Sequence, residues 1–470
     1  MKIKNMIKIK LLSALLLLQL VCLHDAGFAK DNRESYHYPS DPKVLQTLKN
    51  WQDMKFGLFM HWGTYSQWGI VESWSLCPED RPFTSVRPHD KNYFEYVKSY
   101  ENLITTFNPV KFNPDKWAQA AKAAGMKYVV FTTKHHDGFN MFDTRQTDYK
   151  ITAKSCPFHA APRANVAKEI FNSFRKEGFM AGAYYSITDW HNNDFWWDYF
   201  PPMNRNINYS PAQYPEKWTN LNNFIFNQLG ELTSGEYGKL GLLWFDLCVI
   251  SKDCSPDWDR FAAMVRTNQP GIIMVARHTS GPYENYRTPE QEVPDKVLDY
   301  PWETCMTMGN SWSYKPKDQY KTTHELVQLL VKIVSRGGNF LLNIGPSPEG
   351  DFDPVAYDRL NGIGAWMKIN GEAIYGTKPI APFHENKMVF TQKDGKVYAF
   401  YLPDEGEIKI PAKIIIGSMK PVEGSRVFLL GYDKPLHWET SGTGFAVDVP
   451  KELQTNPTCR DAWTLQFEVR

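Results

Sequence analysis

The sequence predicts an α/β chain: a (β/α) TIM-like barrel, irregular in its strand count, followed by a C-terminal antiparallel β-sandwich. Three observations carry that prediction. From about residue 50 to 345, short runs rich in Val, Ile, Phe and Tyr alternate with helix-like segments, the rhythm of βα units with parallel strands. Several runs end directly on ionisable side chains, as barrel strands do at the mouth that holds the active site. After Gly376-Thr377-Lys378-Pro379 the rhythm changes to short alternating strands punctuated by Gly, Pro and Asp, which is how a sandwich reads. A Rossmann-type sheet competes, but the sequence has no GxGxxG after a strand and no P-loop.

Taken in order, residues 1–29 read as a secretory signal peptide: Lys2, Lys4, Lys8 and Lys10, the apolar run Leu11 to Leu18, then Gly27-Phe28-Ala29 at the cleavage site. The barrel is expected over 30–376. Phe56 to Met60 is its first buried strand and delivers His61. Asp115 is expected to cap a helix from Lys116 to Ala124, which Gly125 stops; the strand Tyr128 to Thr132 then leads into Lys134-His135-His136-Asp137. Strands over Met180 to Tyr185, Leu240 to Phe245 and Ile272 to Val275 precede Asp189-Trp190-His191, Asp246 and Arg277, and Asn339 to Asn343 has strand length too. The sandwich is expected over 377–470, with strands at Val397 to Tyr401, Val427 to Leu430 and Trp463 to Val469.

Composition narrows the function. The 470 residues are 42% hydrophobic and 22% charged, with 16 Trp, 24 Tyr and 28 Phe, which excludes a disordered chain. Without residues 1–29 the chain has 49 basic and 51 acidic residues, so its net charge of −2 offers no footprint for nucleic acid. The apolar leader is shorter than the ~20 residues of a membrane span, and the sequence reads as exported, periplasmic or secreted, with no integral membrane segment. Val21 argues against lipid anchoring at Cys22, since such sites carry a smaller residue there. Six cysteines remain (Cys77, Cys156, Cys248, Cys254, Cys305 and Cys459), too widely spaced to define a disulfide framework. No CxxC pair, HExxH or zinc-spaced Cys/His cluster occurs, so a structural metal is not expected.

Asp246, at the end of Gly241-Leu242-Leu243-Trp244-Phe245, places a carboxylate at the lip of an apolar strand; a turn cap is the plain alternative to a nucleophile or base. Glu284, Glu290 and Glu292 are candidates for a second carboxyl group. Neighbours along a strand face opposite ways, so His135 and His136 are not expected to chelate one ion and suit hydroxyl recognition better. The rings near the predicted rim (Trp62, Trp68, Trp74, Trp190, Trp244 and Trp312) suggest a sugar site, about half of them being core.

Six motifs in order, Lys55 to Gly63 (KFGLFMHWG), Lys134 to Phe139 (KHHDGF), Leu243 to Asp246 (LWFD), Pro301 to Cys305 (PWETC), Asn339 to Pro346 (NFLLNIGP) and Asn370 to Tyr375 (NGEAIY), resemble the α-L-fucosidases of glycoside hydrolase family twenty-nine. The resemblance implies an exo-acting, retaining α-L-fucosidase acting on a fucosylated oligosaccharide or glycoconjugate. It implies Asp246 as nucleophile and, from Arg277 and Tyr286-Arg287-Thr288-Pro289-Glu290, Glu290 as acid/base. It also implies His61, His135, His136, Tyr185, Trp244 and Arg277 as fucose contacts, with Trp312 lining the pocket. Two departures, Leu247 after the nucleophile and Gly69 to Trp74 in place of a more usual Glu-Trp-Tyr run, lie at the rim and make Glu72 and Trp74 the corresponding contacts.

A retaining reaction needs two carboxyl groups ~5 to 5.5 Å apart, one ionised and one protonated, and requires neither a metal nor an organic cofactor. The same machinery aimed at an α-L-galactoside, and a catalytically silent fucose-binding protein, are the alternatives. The sequence leaves linkage and oligomeric state open.

Overall fold

The computed structural model describes residues 36–79, 92–246, 255–277, 279 and 281–469. The leader, Cys22, Leu247, Cys248 and Cys254 lie outside them. Tyr38–Arg470 forms one compact unit.

Seven strands make one curled parallel sheet: β1 (Phe56–Met60), β2 (Tyr128–Lys134), β3 (Met180–Ser186), β4 (Leu242–Asp246), β5 (Ile273–Ala276), β6 (Glu303–Thr307) and β7 (Asn339–Asn343), in the order β5-β4-β3-β2-β1-β7-β6. Each strand is buried on both faces, the pattern of a sheet with side chains inside and helices outside. Alternate residues point inward. Phe59, Tyr128, Val130, Tyr184, Trp244, Val275, Cys305 and Leu341 form one interior cluster, which Val44, Leu48 and Trp51 of the helix Pro42–Met54 join. Trp51 stacks on Tyr286 with ring centroids 4.2 Å apart. Gly57 makes room in this interior for the Tyr128 ring, because a Cβ there would sit 2.5 Å from it.

The sheet's two edges, β5 and β6, are joined by an irregular segment. The amides of Asn285 and Arg287 donate to Met274 O (2.9 Å) and Pro301 O (3.0 Å), and those of Glu303 and Gln291 donate to Arg287 O (2.9 Å) and Cys305 O (3.0 Å). Residues 283–291 therefore fill the eighth side of the barrel with backbone bonds but no regular strand, which is the irregularity the strand count predicts. Edge strands left unpaired would expose their amides, so this seam is a structural requirement as well as a carrier of side chains.

The sequence-based boundaries shift in two places. The helix Pro114–Ala123 is capped by Asn113, whose Oδ1 accepts from Lys116 N, while Asp115 instead accepts from Ser173 and Arg163. β6 has no counterpart among the expected strands because Glu303-Thr304-Cys305-Met306-Thr307 is not an apolar run.

Beyond the barrel, β8 (Lys378–Glu385), β9 (Met388–Lys393), β10 (Lys396–Tyr401), β12 (Phe428–Leu429) and β15 (Trp463–Glu468) form one antiparallel sheet; β11 (Lys413–Ile416), β13 (Trp438–Ser441) and β14 (Gly444–Asp448) form a second. Asp394-Gly395, both at positive φ, makes the tight β9–β10 turn. The two sheets share a core in which the Phe445 and Phe467 rings lie 4.9 Å apart. Trp366 Nε1 donates to Ala462 O (2.9 Å) and Thr464 Oγ1 to Asn370 Oδ1 (2.7 Å), tying this β-domain to the helix Pro354–Asn370 of the barrel. No described helix is long and apolar enough to cross a membrane.

Candidate active site at the barrel mouth

Inward-facing residues at the C-terminal strand ends define a pocket. His61 follows β1, Asp246 ends β4, Arg277 follows β5 and Asn343 ends β7. The pocket is lined by His61, Glu72, Trp74, His135, His136, Trp244, Asp246, Arg277, Glu290 and Trp312, together with Phe59, Tyr184, Arg205 and Cys305. Ten of the eleven expected site residues therefore meet here.

Tyr185 does not. Neighbouring strands of a parallel sheet keep paired residues on the same face, and the register sets Tyr184 beside Trp244 and Ser186 beside Asp246. Tyr185 faces the helix layer, where its hydroxyl donates to Gln228 Oε1 (2.7 Å) and accepts from Lys134 Nζ (3.2 Å). Tyr184 takes the pocket position and stacks on Trp244 at 5.4 Å. The pairing with Asp246 is the signal that selects Tyr184.

One arginine organises the two carboxylates. Arg277 donates from Nη1 to Asp246 Oδ1 at 3.2 Å and from Nη2 to Glu290 Oε2 at 2.6 Å. Burial works against its charge, but the facing Asp246 and Glu290 outweigh it and hold the guanidinium well above its ordinary value. Its carbon lies 4.9 Å from the Trp244 ring centroid. The other Asp246 oxygen, Oδ2, accepts from the Tyr184 hydroxyl at 2.8 Å and faces His136 Nε2 at 3.8 Å. Asp246 is largely enclosed, whereas the Glu290 side chain is 41% exposed at the rim. Glu290 sits on the seam, bridged to Cys305 of β6. Glu284 instead pairs with Arg287 at 3.4 Å outside the pocket lining, and Glu292 is absent from that lining.

Below the rim, Glu303 accepts from Tyr128 Oη (2.5 Å) and Trp244 Nε1 (3.2 Å). Its burial raises its pKa to about 7 despite those bonds. Burial likewise raises Glu72 to about 8, although Ser313 N donates to its Oε1 at 2.8 Å. Glu72 is thus mainly the neutral acid at pH 7 and can donate a hydrogen bond. Burial lowers His61 and His136 to about 4 and His135 well below its ordinary value, so all three imidazoles are neutral.

His135 and His136 converge, contrary to the expectation of opposite facing. β2 ends at Lys134, and the two histidines lie in the turn beyond it with ring centroids 4.2 Å apart. Ligand-capable atoms of His135, His136 and Asp246 consequently fall within 4.8 Å of one another. On the far ring edges, each Nδ1 is bonded to a serine, Ser73 for His135 and Ser186 for His136.

Trp74 forms one side of the pocket, with Trp190 edge-on at 5.5 Å and Arg205 over its ring at 4.8 Å. Glu79 holds Arg205 through two bonds of 2.9 and 2.7 Å. Arg205 lies in a long, sequence-irregular connection, and its part in the pocket depends on this tertiary pairing. Trp62 is core, packed against Trp117 at 5.4 Å, and Trp68 packs on Tyr96 and Tyr100.

The family model described as Alpha-L-fucosidase matches residues 25–372, and that described as Alpha-L-fucosidase C-terminal domain matches 382–468. The chain belongs to the α-L-fucosidase family. Rat tissue α-L-fucosidase is 30% identical over 459 residues, covering 92% of this chain and 93% of that protein. Among solved fucosidase structures, α-L-fucosidase isoenzyme 1 from Paenibacillus thiaminolyticus aligns with a TM-score of 0.75 at 28% identity, covering 91% of this chain and 100% of that one. A GH29 α-L-fucosidase from Bacteroides thetaiotaomicron, trapped as a covalent intermediate with 2-fluoro-fucosyl fluoride, aligns with a TM-score of 0.72 at 25% identity, covering 94% and 99%. The barrel and the β-domain of this fucosidase thus both have counterparts in the family.

Proposed function

We propose that this chain is an exo-acting, retaining α-L-fucosidase of glycoside hydrolase family twenty-nine that releases terminal L-fucose from fucosylated oligosaccharides or glycoconjugates. Asp246 is the nucleophile and Glu290 the acid/base. The observation that carries the reading is the single guanidinium of Arg277 bonded to both carboxylates, one fixed on a strand end and the other on the exposed rim.

Asp246 attacks the anomeric carbon while the acid form of Glu290 protonates the departing glycosidic oxygen. Glu290 then removes a proton from water as that water attacks the glycosyl-enzyme, restoring Asp246. Tyr184 and Arg277 hold the attacking carboxylate in place through two different oxygens. His61, Glu72, Trp74, His135, His136 and Trp312 surround the sugar. Trp244 packs against the Arg277 guanidinium and the Tyr184 ring, the two groups that hold the attacking carboxylate. The lysine-rich leader supports export to a periplasm or the medium after removal of residues 1–29, and the change of architecture near Thr377 supports catalytic and β-sandwich domains over 30–376 and 377–470.

Two variants test the assignment. Asp246→Ala should lose at least about a thousandfold in kcat on an aryl α-L-fucoside while circular dichroism shows the folded state retained, and azide should restore turnover as fucosyl azide. Near-normal activity would overturn the nucleophile. Glu290→Ala should lose far more on a natural fucosyl glycan than on an aryl fucoside with a good leaving group; equal losses would overturn the acid role. Fucose binding without release by the wild-type protein would instead indicate a silent binding protein.

A further inference from the structure

Each of the three pocket imidazoles has a partner behind it that determines which ring nitrogen carries the proton. Ser186 Oγ donates its one proton to Thr188 O at 2.7 Å. Toward His136 Nδ1, also at 2.7 Å, it is therefore an acceptor, and His136 carries its proton on Nδ1. The bare Nε2 that results fits its 3.8 Å distance from Asp246 Oδ2, beyond hydrogen-bonding range. Asn343 is oriented by its amide group donating to Trp312 O at 2.6 Å, which leaves Oδ1 to accept from His61 Nδ1 at 2.8 Å. His61 too presents a bare Nε2.

Ser73 has the opposite polarity. It accepts the backbone N–H of Asp137 at 3.0 Å; Ser73 is fully buried, and among the described residues the acceptor within reach of its hydroxyl proton is His135 Nδ1 at 2.5 Å, so donation to that nitrogen is what satisfies the hydroxyl. His135 then carries its proton on Nε2, the edge toward the pocket. Ser73 stands between Glu72 and Trp74 in the rim segment where the sequence departs from the commoner Glu-Trp-Tyr pattern.

We infer that Ser73, Ser186 and Asn343 are positioning residues that lock the pocket histidines in unlike tautomers, His61 and His136 as hydrogen-bond acceptors and His135 as a donor. A sugar hydroxyl meeting His61 or His136 must donate its proton, while one meeting His135 must accept. The pocket thereby fixes the direction of each hydroxyl bond before the sugar arrives, so no proton rearrangement is needed on binding. A methyl ether, which has no proton to give, is rejected at the two acceptor positions, and a C–F group, which can only accept, is best tolerated opposite His135.

The inference rests on this pocket being the fucose site, but its decisive measurement does not. In unliganded full-length enzyme labelled with 15N-histidine at pH 7, two-bond 15N–1H correlation spectra report the protonated nitrogen, with signals assigned by the single variants His61→Gln, His135→Gln and His136→Gln. The expected pattern is Nδ1–H for His61 and His136 and Nε2–H for His135. Any other pattern, or averaging between tautomers, overturns the inference, and this wild-type result stands even if a serine variant fails to fold. In Ser186→Ala, His136 should shift toward Nε2–H and kcat/KM should fall about tenfold, whereas Ser73→Thr should keep the His135 signature. A loss of activity in Ser186→Ala with the His136 signature unchanged would overturn the positioning role. The expected tautomers in a protein without fucosidase activity would leave the lock standing and remove the functional reading.

Discussion

Replacing Glu303 by Gln should make the enzyme more resistant to alkaline unfolding than the wild type. Glu303 is fully buried beneath the pocket, and burial raises its pKa from the ordinary 4.5 to about 7. A folded-state pKa above the unfolded value means that the native protein binds the proton more tightly. The carboxyl therefore costs stability as pH rises from 4.5 through 7, and the cost is complete above that range. At about 1.4 kcal/mol per tenfold change, the interval corresponds to about 3.5 kcal/mol, of which about 3 kcal/mol falls between pH 5 and pH 9. Gln does not titrate, and it can turn its oxygen to Trp244 Nε1–H and its amide group to the Tyr128 hydroxyl oxygen, preserving both contacts. The difference in melting temperature, variant minus wild type, should therefore grow between pH 5 and pH 9. With an unfolding entropy of about 2 cal/mol/K per residue, the growth is about 3 °C. Differential scanning calorimetry at matched scan rates across this range reads it. A difference that stays flat from pH 5 to pH 9 would refute the reasoning and mean that Glu303 does not ionise in the folded protein over that window.

Three further substitutions follow from the sheet register and the buried charges. Tyr184→Phe removes the 2.8 Å bond to Asp246 Oδ2, and at about 1.5 to 3 kcal/mol for a bond to a charged group should lower kcat/KM by about 10- to 150-fold. Tyr185→Phe should leave kinetics on an aryl fucoside unchanged and lower only the melting temperature, so equal kinetic losses in the two variants would contradict the facing assigned to them. Lys134→Met strips the partner from buried Asp189, paired at 2.9 Å, and should destabilise the fold by about 3 to 5 kcal/mol in urea titrations.

The barrel and most of its mouth were readable because two periodicities reinforce each other. Strand-length apolar runs located β1 to β5 and β7, and the first polar residue after a run was where chemistry could lie, as with His61 and Asp246. Face assignment failed where a strand was treated alone. Tyr184 and Tyr185 are indistinguishable by type, and only the register with Trp244 and Asp246 separates them. His135 and His136 were expected to diverge because strand geometry was extended two residues past its end at Lys134; a turn obeys no alternation. β6 was missed because its inward residues, Glu303 and Cys305, serve the site more than the core. Arg205 and the serines behind the histidines carry no local signal, since what recruits them is a partner distant in sequence.

The seam that closes the barrel also separates the two carboxyl groups proposed to carry the chemistry in how freely they can change. Asp246 belongs to a strand whose every neighbour fixes it, so a shift of one residue would turn it out of the pocket. Glu290 rides on a stretch held by scattered backbone and side-chain bonds to the two edge strands and by no regular ladder. Residues can be gained or lost there without disturbing the seven strands, provided a carboxyl group still returns to the guanidinium of Arg277. If the two groups act as proposed, descendants of such a barrel keep the attacking group at a constant landmark while the proton donor wanders along the chain, and in a new sequence the arginine is the better guide to it.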